Sequence, residues 1–214
     1  MYVDDLLIIS CDQEAIAETE RHLSAAFKTK DLGIVKKFLG INVEITSTHT
    51  KIHPGDYIKS MLKNCGFDKI QHVSIPASKV SLDTEVADKE DHCDESEYRS
   101  IVGKLLYAAN TERFDIGFIV LKLSRYLISP KYKHLEAAQR VLRYLKGTAE
   151  HGIIFRHGST EAILSYCDAG CNLAMEPESR SFTGSIILYG GSSTGWKSKL
   201  QTMVALSTVN AEQL

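Results

Sequence analysis

Apolar residues along this chain recur first at helical spacing and then, after residue 150, at strand spacing. Leu6 to Ser10 reads as a strand, and Asp12 then opens a predicted helix reaching about Lys28, with Ile16, Leu23 and Phe27 on one face. Val35 to Ile45 reads as a strand pair or bent strand interrupted at Gly40, His53-Pro54-Gly55 as a turn, and Tyr57 to Cys65 as a short helix closed by Gly66. Two further helices are predicted, from about Ser96 to Ala109 and from about Asp115 to Leu127. The clearest helical face follows: Leu135, Ala138, Val141, Leu142 and Leu145 form one stripe, and Gly147 stops it. Ile153 to Arg156, Ile163 to Cys167, Thr183 to Tyr189 and Gly195 to Lys199 then read as strands, with Gly190-Gly191 marking a hairpin. A last helix is predicted from near Ser207 or Thr208. The expected fold class is α+β, with a second folded unit from residue 151.

At 214 residues, 43% hydrophobic and 24% charged, the chain is long enough to bury a core. No run reaches the roughly 18 apolar residues of a membrane span, so no membrane partner is expected, and nothing at the N-terminus reads as a secretion signal. The cysteines, Cys11, Cys65, Cys93, Cys167 and Cys171, are odd in number and scattered, which fits reduced thiols and an intracellular setting. Cys167 and Cys171 lack a second close ligand pair, so zinc is not expected.

The near-neutral net charge hides an uneven distribution. Residues 83–97 hold eight acids against one base, leaving 24 bases and 19 acids elsewhere. The acidic stretch reads as an exposed connector, and the remaining parts are mildly basic. The predicted helix over 135–145 carries Lys133, Arg140, Arg143 and Lys146 away from its apolar stripe. Such a face suits phosphate contacts, or simply hydration.

The densest chemistry is Tyr2-Val3-Asp4-Asp5. Adjacent carboxylates between apolar residues repel unless a cation sits between them, and at a hairpin tip their hard oxygens suit Mg²⁺. Phosphoryl-transfer enzymes hold two such ions roughly 3.5–4 Å apart, with a third carboxylate. Only Met1 precedes the motif, so the expectation is that the chain opens inside such a site without that acid. A solvated Asp-Asp turn is the other reading. Asp168 falls at a strand end, where Asp commonly forms a turn, and Glu212 in an early helical turn, where Glu favours the dipole.

Six blocks carry a family resemblance: YVDDLLI at 2–8, KDLGIVKKFLGINVE at 30–44, YRSIVGKLLYAA at 98–109, LKLSRYLISP at 121–130, AAQRVLRYLKGT at 137–148 and GWKSKLQTMVALST at 195–208. In this order they resemble the Pol polyprotein of copia-type LTR retrotransposons. The resemblance implies a partial reverse transcriptase palm hairpin with the start of the thumb over 1–82 and the acidic connector at 83–97. It implies thumb or connection helices over 98–150 and an incomplete ribonuclease H-like mixed sheet over 151–214. It also implies that Asp4 and Asp5 hold Mg²⁺ beside a DNA primer end near Tyr2 and Val3, and that Phe38, Leu39 and Gly40 grip the primer. By the same resemblance, Asp168 and Glu212 are ribonuclease H carboxylates around a metal, acting on an RNA–DNA hybrid. The parent copies an RNA template into DNA, and its implied location is a cytoplasmic virus-like particle or the nucleus.

The chain also departs from the family. Asp168 is followed by Ala169-Gly170-Cys171-Asn172 instead of an acidic, aromatic run, Asn210 and Gln213 flank Glu212, and Phe114 replaces a proline between Arg113 and Asp115. With further acids expected to be missing, neither activity is expected in this chain alone. The alternative is a non-catalytic nucleic-acid-binding remnant or a transcribed relic, with Arg140, Arg143 and Lys146 as the contact face.

Overall fold

A computed structural model describes residues 5–78, 82, 92–160, 162–170, 180–203, 209 and 212. Four helices make the core. Helix α2 (Gly55–Asn64) buries Ile58, Met61 and Leu62, and α3 (Glu95–Thr111) buries Tyr98, Ile101, Val102, Leu105, Ala108 and Ala109. Helix α4 (Gly117–Ser124) adds Ile119, Val120 and Leu123, and α5 (Tyr132–Gly147) adds the five residues of the predicted stripe. These positions recur at helical spacing, so each helix turns one continuous apolar face inward. Asp94 starts α3 by accepting hydrogen bonds from the Ser96 and Glu97 amides at 2.7 and 3.1 Å.

The last acids of the predicted connector are therefore structural: Asp94 caps α3, and Glu95 pairs with Arg99 at 2.8 Å. Leu82 is buried in the core, and its carbonyl lies 2.8 Å from His134 Nε2. Asp83, Glu85, Asp88, Glu90 and Asp91 lie outside the described residues.

Two antiparallel sheets flank the helices. In the first, β1 (Lys37–Phe38), β2 (Ile41–Ile45), β3 (His49–His53) and β4 (Ile153–Arg156) pair in chain order. The β1–β2 connection is Leu39-Gly40, with φ of 51° and 86°, the double positive φ of a tight hairpin. Strand β4 was expected to open the second unit, but it pairs with β3, Ile52 facing Ile153, so this sheet draws residues from both sides of 150. Gly152 makes that approach possible, because a Cβ there would strike the Ile52 carbonyl and lie 2.6 Å from the His53 Cβ.

The second sheet runs β5 (Leu164–Gly170), β6 (Phe182–Tyr189), β7 (Ser192–Leu200). Gly190 and Gly191, with φ of 58° and 74°, turn β6 into β7 as predicted. Trp196 Nε1 donates to the Ala109 carbonyl at 2.8 Å and its ring lies 5.5 Å from Phe114, while Phe118 and Phe182 meet edge-on at 5.4 Å. These contacts seat the sheet on α3 and α4.

Several predicted elements differ. No strand forms over residues 6–10, whose Leu6 and Ile9 are 47% and 83% exposed, because no described strand pairs with them. Strand β3 is polar enough to pass for a turn and exists because β2 and β4 pair with it on both sides. The helix expected over 115–127 splits into a 3-10 turn (Phe114–Ile116) and the shorter α4.

Candidate functional site

Helix α1 (Gln13–Ala26) follows the Asp-Asp motif and is started by Asp12, whose side chain accepts from the Glu14 amide at 2.9 Å. Tyr2, Val3 and Asp4 lie outside the described residues, and Asp5 is exposed. Carboxylate oxygen suits a hard divalent cation. Among the described residues, however, no three His, Cys, Asp or Glu side chains gather where an ion could sit, so these residues alone do not make a metal site.

The segment Phe38, Leu39 and Gly40 forms the tip of the β1–β2 hairpin, with Leu39 39% exposed. A Cβ at Gly40 would lie 3.8 Å from the Tyr107 hydroxyl, which places the turn beside α3. Asp56, in the first turn of α2, anchors the hairpin from behind. It accepts from Lys37 Nζ at 2.9 Å, and the Asn42 amide, turned to pair with it, donates at 3.0 Å. The Lys37 hydrogen bond and charge hold the Asp56 carboxyl below its usual range. These exposed contacts join the hairpin to the first turn of α2.

The basic face of α5 is largely occupied within the molecule. Arg143 Nε donates to the Gln71 carbonyl at 3.0 Å and Lys146 Nζ to the Ile70 carbonyl at 2.6 Å. Both cations therefore tether the loop that follows α2, a role that helical periodicity alone does not reveal. Arg140 Nε is buried and has no hydrogen-bond partner.

Asp168 lies on β5 opposite Gly184, exposed, at the wall of a cleft of about 920 Å³ between the second sheet and α3–α4. Phe114, Phe118, Phe182 and Trp196 line this cleft, and Lys122 Nζ stands 5.7 and 5.9 Å from the Phe118 and Phe182 rings. Glu212 is helical and exposed.

The strongest polar network joins residues that the sequence marked only as a departure. Arg113 is 1% exposed and forks onto Asp115, with Nε–Oδ1 and Nη2–Oδ2 distances of 2.9 and 2.7 Å. It also donates to the Thr148 carbonyl and hydroxyl, each at 2.8 Å, and the Tyr144 hydroxyl donates to Asp115 Oδ2 at 2.7 Å. Burial pushes the Asp115 carboxyl up, but the Arg113 hydrogen bonds and charge outweigh it and leave the group below its usual range. One residue before this fork, Glu112 is 2% exposed and neither carboxylate oxygen has a hydrogen-bond partner. Burial pushes its carboxyl up, against the Thr111 hydroxyl and the His53 ring. The Arg-x-Asp spacing was the available signal for the fork; nothing in the sequence marked Glu112 as buried.

Residues 1–79 match the family described as reverse transcriptase (RNA-dependent DNA polymerase). Over its whole length the chain is 36% identical to the retrovirus-related Pol polyprotein from transposon TNT 1-94 of Nicotiana tabacum and spans 16% of that protein. It is 34% identical, again over its whole length, to the transposon Ty5-1 protein of Saccharomyces cerevisiae, spanning 70% of it. Over 99% of its length it is 35% identical to the retrovirus-related Pol polyprotein from transposon RE1 of Arabidopsis thaliana, spanning 14% of that protein. No solved structure matches. Among the described residues, two antiparallel sheets on a helical core form a mixed α and β fold, compatible with a reverse transcriptase fragment. It belongs to the reverse transcriptase family of copia-type retrotransposon Pol polyproteins. That family implies a divalent metal and nucleic-acid partners in the parent protein.

Proposed function

We propose that this chain is a segment of a Pol polyprotein whose parent copies an RNA template into DNA, and that the segment alone carries out no chemistry. The observation behind this reading is identity of 36% and 35% along nearly the whole chain to two Pol polyproteins of which it spans only 16% and 14%. Residues 1–82 are assigned to the palm and the start of the thumb, 98–150 to thumb or connection helices, and 151–214 to the start of a ribonuclease H-like unit, entered through β4, which pairs within the first sheet. In the parent, Asp4 and Asp5 would hold Mg²⁺ at the polymerase site, and Asp168 and Glu212 would hold it at the ribonuclease H site. Tyr2, Val3 and the tip at Phe38, Leu39 and Gly40 would lie along the primer. The exposed, tight turn at this tip supports this last role, because it leaves backbone accessible to a strand. The setting proposed for the parent is intracellular, in a cytoplasmic particle or the nucleus.

Primer extension on an RNA template tests the reading, run with this chain and with a longer Pol segment that includes the upstream palm. Extension by the longer segment alone is expected. Extension by the short chain overturns its proposed inactivity, and silence from the longer segment overturns the polymerase assignment.

The alternative of a non-catalytic binding remnant needs cations free to meet phosphate. Arg143 and Lys146 already hold the Gln71 and Ile70 carbonyls, so phosphate contact there competes with the loop tether. RNA–DNA duplex binding with a steep salt dependence that weakens on Arg140→Ala and Arg143→Ala would favour the remnant.

A further inference from the structure

We propose that Cys65 and Lys104 form an oxidative modification site, at which a peroxide joins the cysteine sulfur to the lysine amine and so links α2 to α3. Cys65 ends α2, its amide donating to the Met61 carbonyl at 3.0 Å, and Lys104 lies in the middle of α3. The Lys104 Nζ stands 3.8 Å from the Cys65 Sγ, across 39 positions of sequence. Among the described residues Lys104 forms no ion pair with a carboxylate, so the thiol is the side chain its amine faces. Packing keeps the two groups together. Tyr57 on α2 donates its hydroxyl to the Lys104 carbonyl at 3.1 Å, and its ring lies 4.7 Å from that of Tyr107 on α3. With Met61, Leu62 and Leu105 buried beneath, these contacts fix the register of α2 on α3 at the level of Lys104.

A reversible oxidative site needs a thiol that the oxidant can reach and a second group that captures the oxidised sulfur. Cys93 fails the first condition: it is buried, its S–H points at the Pro130 and Lys131 carbonyls, and burial pushes its thiol up, away from the reactive thiolate. Cys11 and Cys167 are exposed, but among the described residues only Cys65 has a lysine amine within hydrogen-bond reach. Cys65 is half-buried, open to a molecule as small as hydrogen peroxide. In the first step the sulfur attacks one peroxide oxygen, the O–O bond breaks, and the departing hydroxide takes up a proton to leave as water; the sulfur is now a sulfenic acid. Lys104, having released its extra proton to solvent, then attacks that sulfur. An S–N bond forms, the S–O bond breaks, and a second water leaves. Sulfur has lost two electrons, peroxide has gained them, and the chain is lighter by two hydrogens. The flexible four-carbon stem of Lys104 lets the amine close the remaining gap. A small thiol reverses the link by attacking the sulfur and freeing the amine.

This site does not depend on any polymerase role. Treating the full chain with hydrogen peroxide, without added thiol, and mapping its peptides by mass spectrometry without reductant reads the site directly. The expected product is one pair of peptides joined through Cys65 and Lys104, lighter by two hydrogens than the separate peptides and split again by dithiothreitol. Lys104→Arg keeps the charge but replaces the amine with a guanidinium that stays protonated, so it should give no link and leave Cys65 carrying added oxygen. Cys65→Ser should give no link either. Lys63→Arg removes the exposed lysine two positions before Cys65 and should leave the yield unchanged. In urea, where α2 and α3 separate, the yield should fall by about tenfold or more, because closure then relies on chance encounter along a flexible loop. A folded wild-type chain in which Cys65 only gains oxygen overturns the proposal. So does a link made through Lys63 in place of Lys104, or a yield that urea leaves unchanged.

Discussion

Helices α1 and α5 are both amphipathic and of similar length, yet α1 buries none of its residues while α5 buries six. Helix α1 relies on local contacts, chiefly the Asp12 cap. An isolated helix of about this length is marginal in water, so most helical stability has to come from a packed face. Helix α5 has that packing, together with the Arg113 fork at its C-terminal end and the loop tether along its side. The pair teaches that amphipathicity nominates a helix for burial, and that a partner surface decides whether the burial happens.

The largest effect should come from the buried fork. Arg113→Ala leaves Asp115 and Thr148 without their shared partner and should cost about 3–5 kcal/mol in denaturant unfolding. A loss under 1 kcal/mol would show that the fork does not close the core. Next, Leu142→Ala should cost about 2–5 kcal/mol through the cavity it leaves, whereas Leu23→Ala on α1 should stay within about 0.5 kcal/mol. Equal costs would erase the contrast between the two helices.

Glu112 sharpens the comparison from the other side, as a buried group that works against the core. Its carboxyl is raised in the fold, so the folded chain holds this proton more tightly than the unfolded chain, and stability falls as pH rises through the folded value. Glu112→Gln should therefore stabilise the protein at pH 7, by about 1–3 kcal/mol. The gain should vanish as pH falls below the ordinary glutamate value of about 4.3. A Gln variant no more stable than the parent at pH 7 would show that the carboxylate has a partner in solution. The smallest effect is at Asp12, where Ala should cost α1 about 1 kcal/mol. That loss should speed amide exchange within α1 while leaving the global unfolding midpoint in place, and a shifted midpoint would mean that α1 is packed after all.

How much could be read in advance varied with the range of the interaction. The α5 stripe and the Gly190-Gly191 hairpin were legible, because periodicity and turn chemistry are carried by neighbours in sequence. Leu6 to Ser10 has strand composition but no described strand beside it, and β3 lacks that composition yet pairs on both sides. At the candidate site, the motif residues at 2–5 and the family order of the six blocks were legible, while the anchoring of the hairpin by Asp56 was not. The basic face of α5 was read correctly as a row of cations, but its hydrogen-bond partners lie some 70 positions earlier, beyond the reach of any helical pattern.

By itself, then, the sequence determined the helical stripes, the Asp12 helix start, the tight turn at Gly190-Gly191, and the kinship with reverse transcriptases, all of which rest on residue identities and short spacings. Tertiary structure alone decided that β4 completes the first sheet, that Arg113 and Glu112 are buried, and that Arg143 and Lys146 hold a loop. Desolvation and strand pairing depend on which distant residues are brought close, and Lys51 meets Ile154 only after a hundred intervening residues have folded back between them.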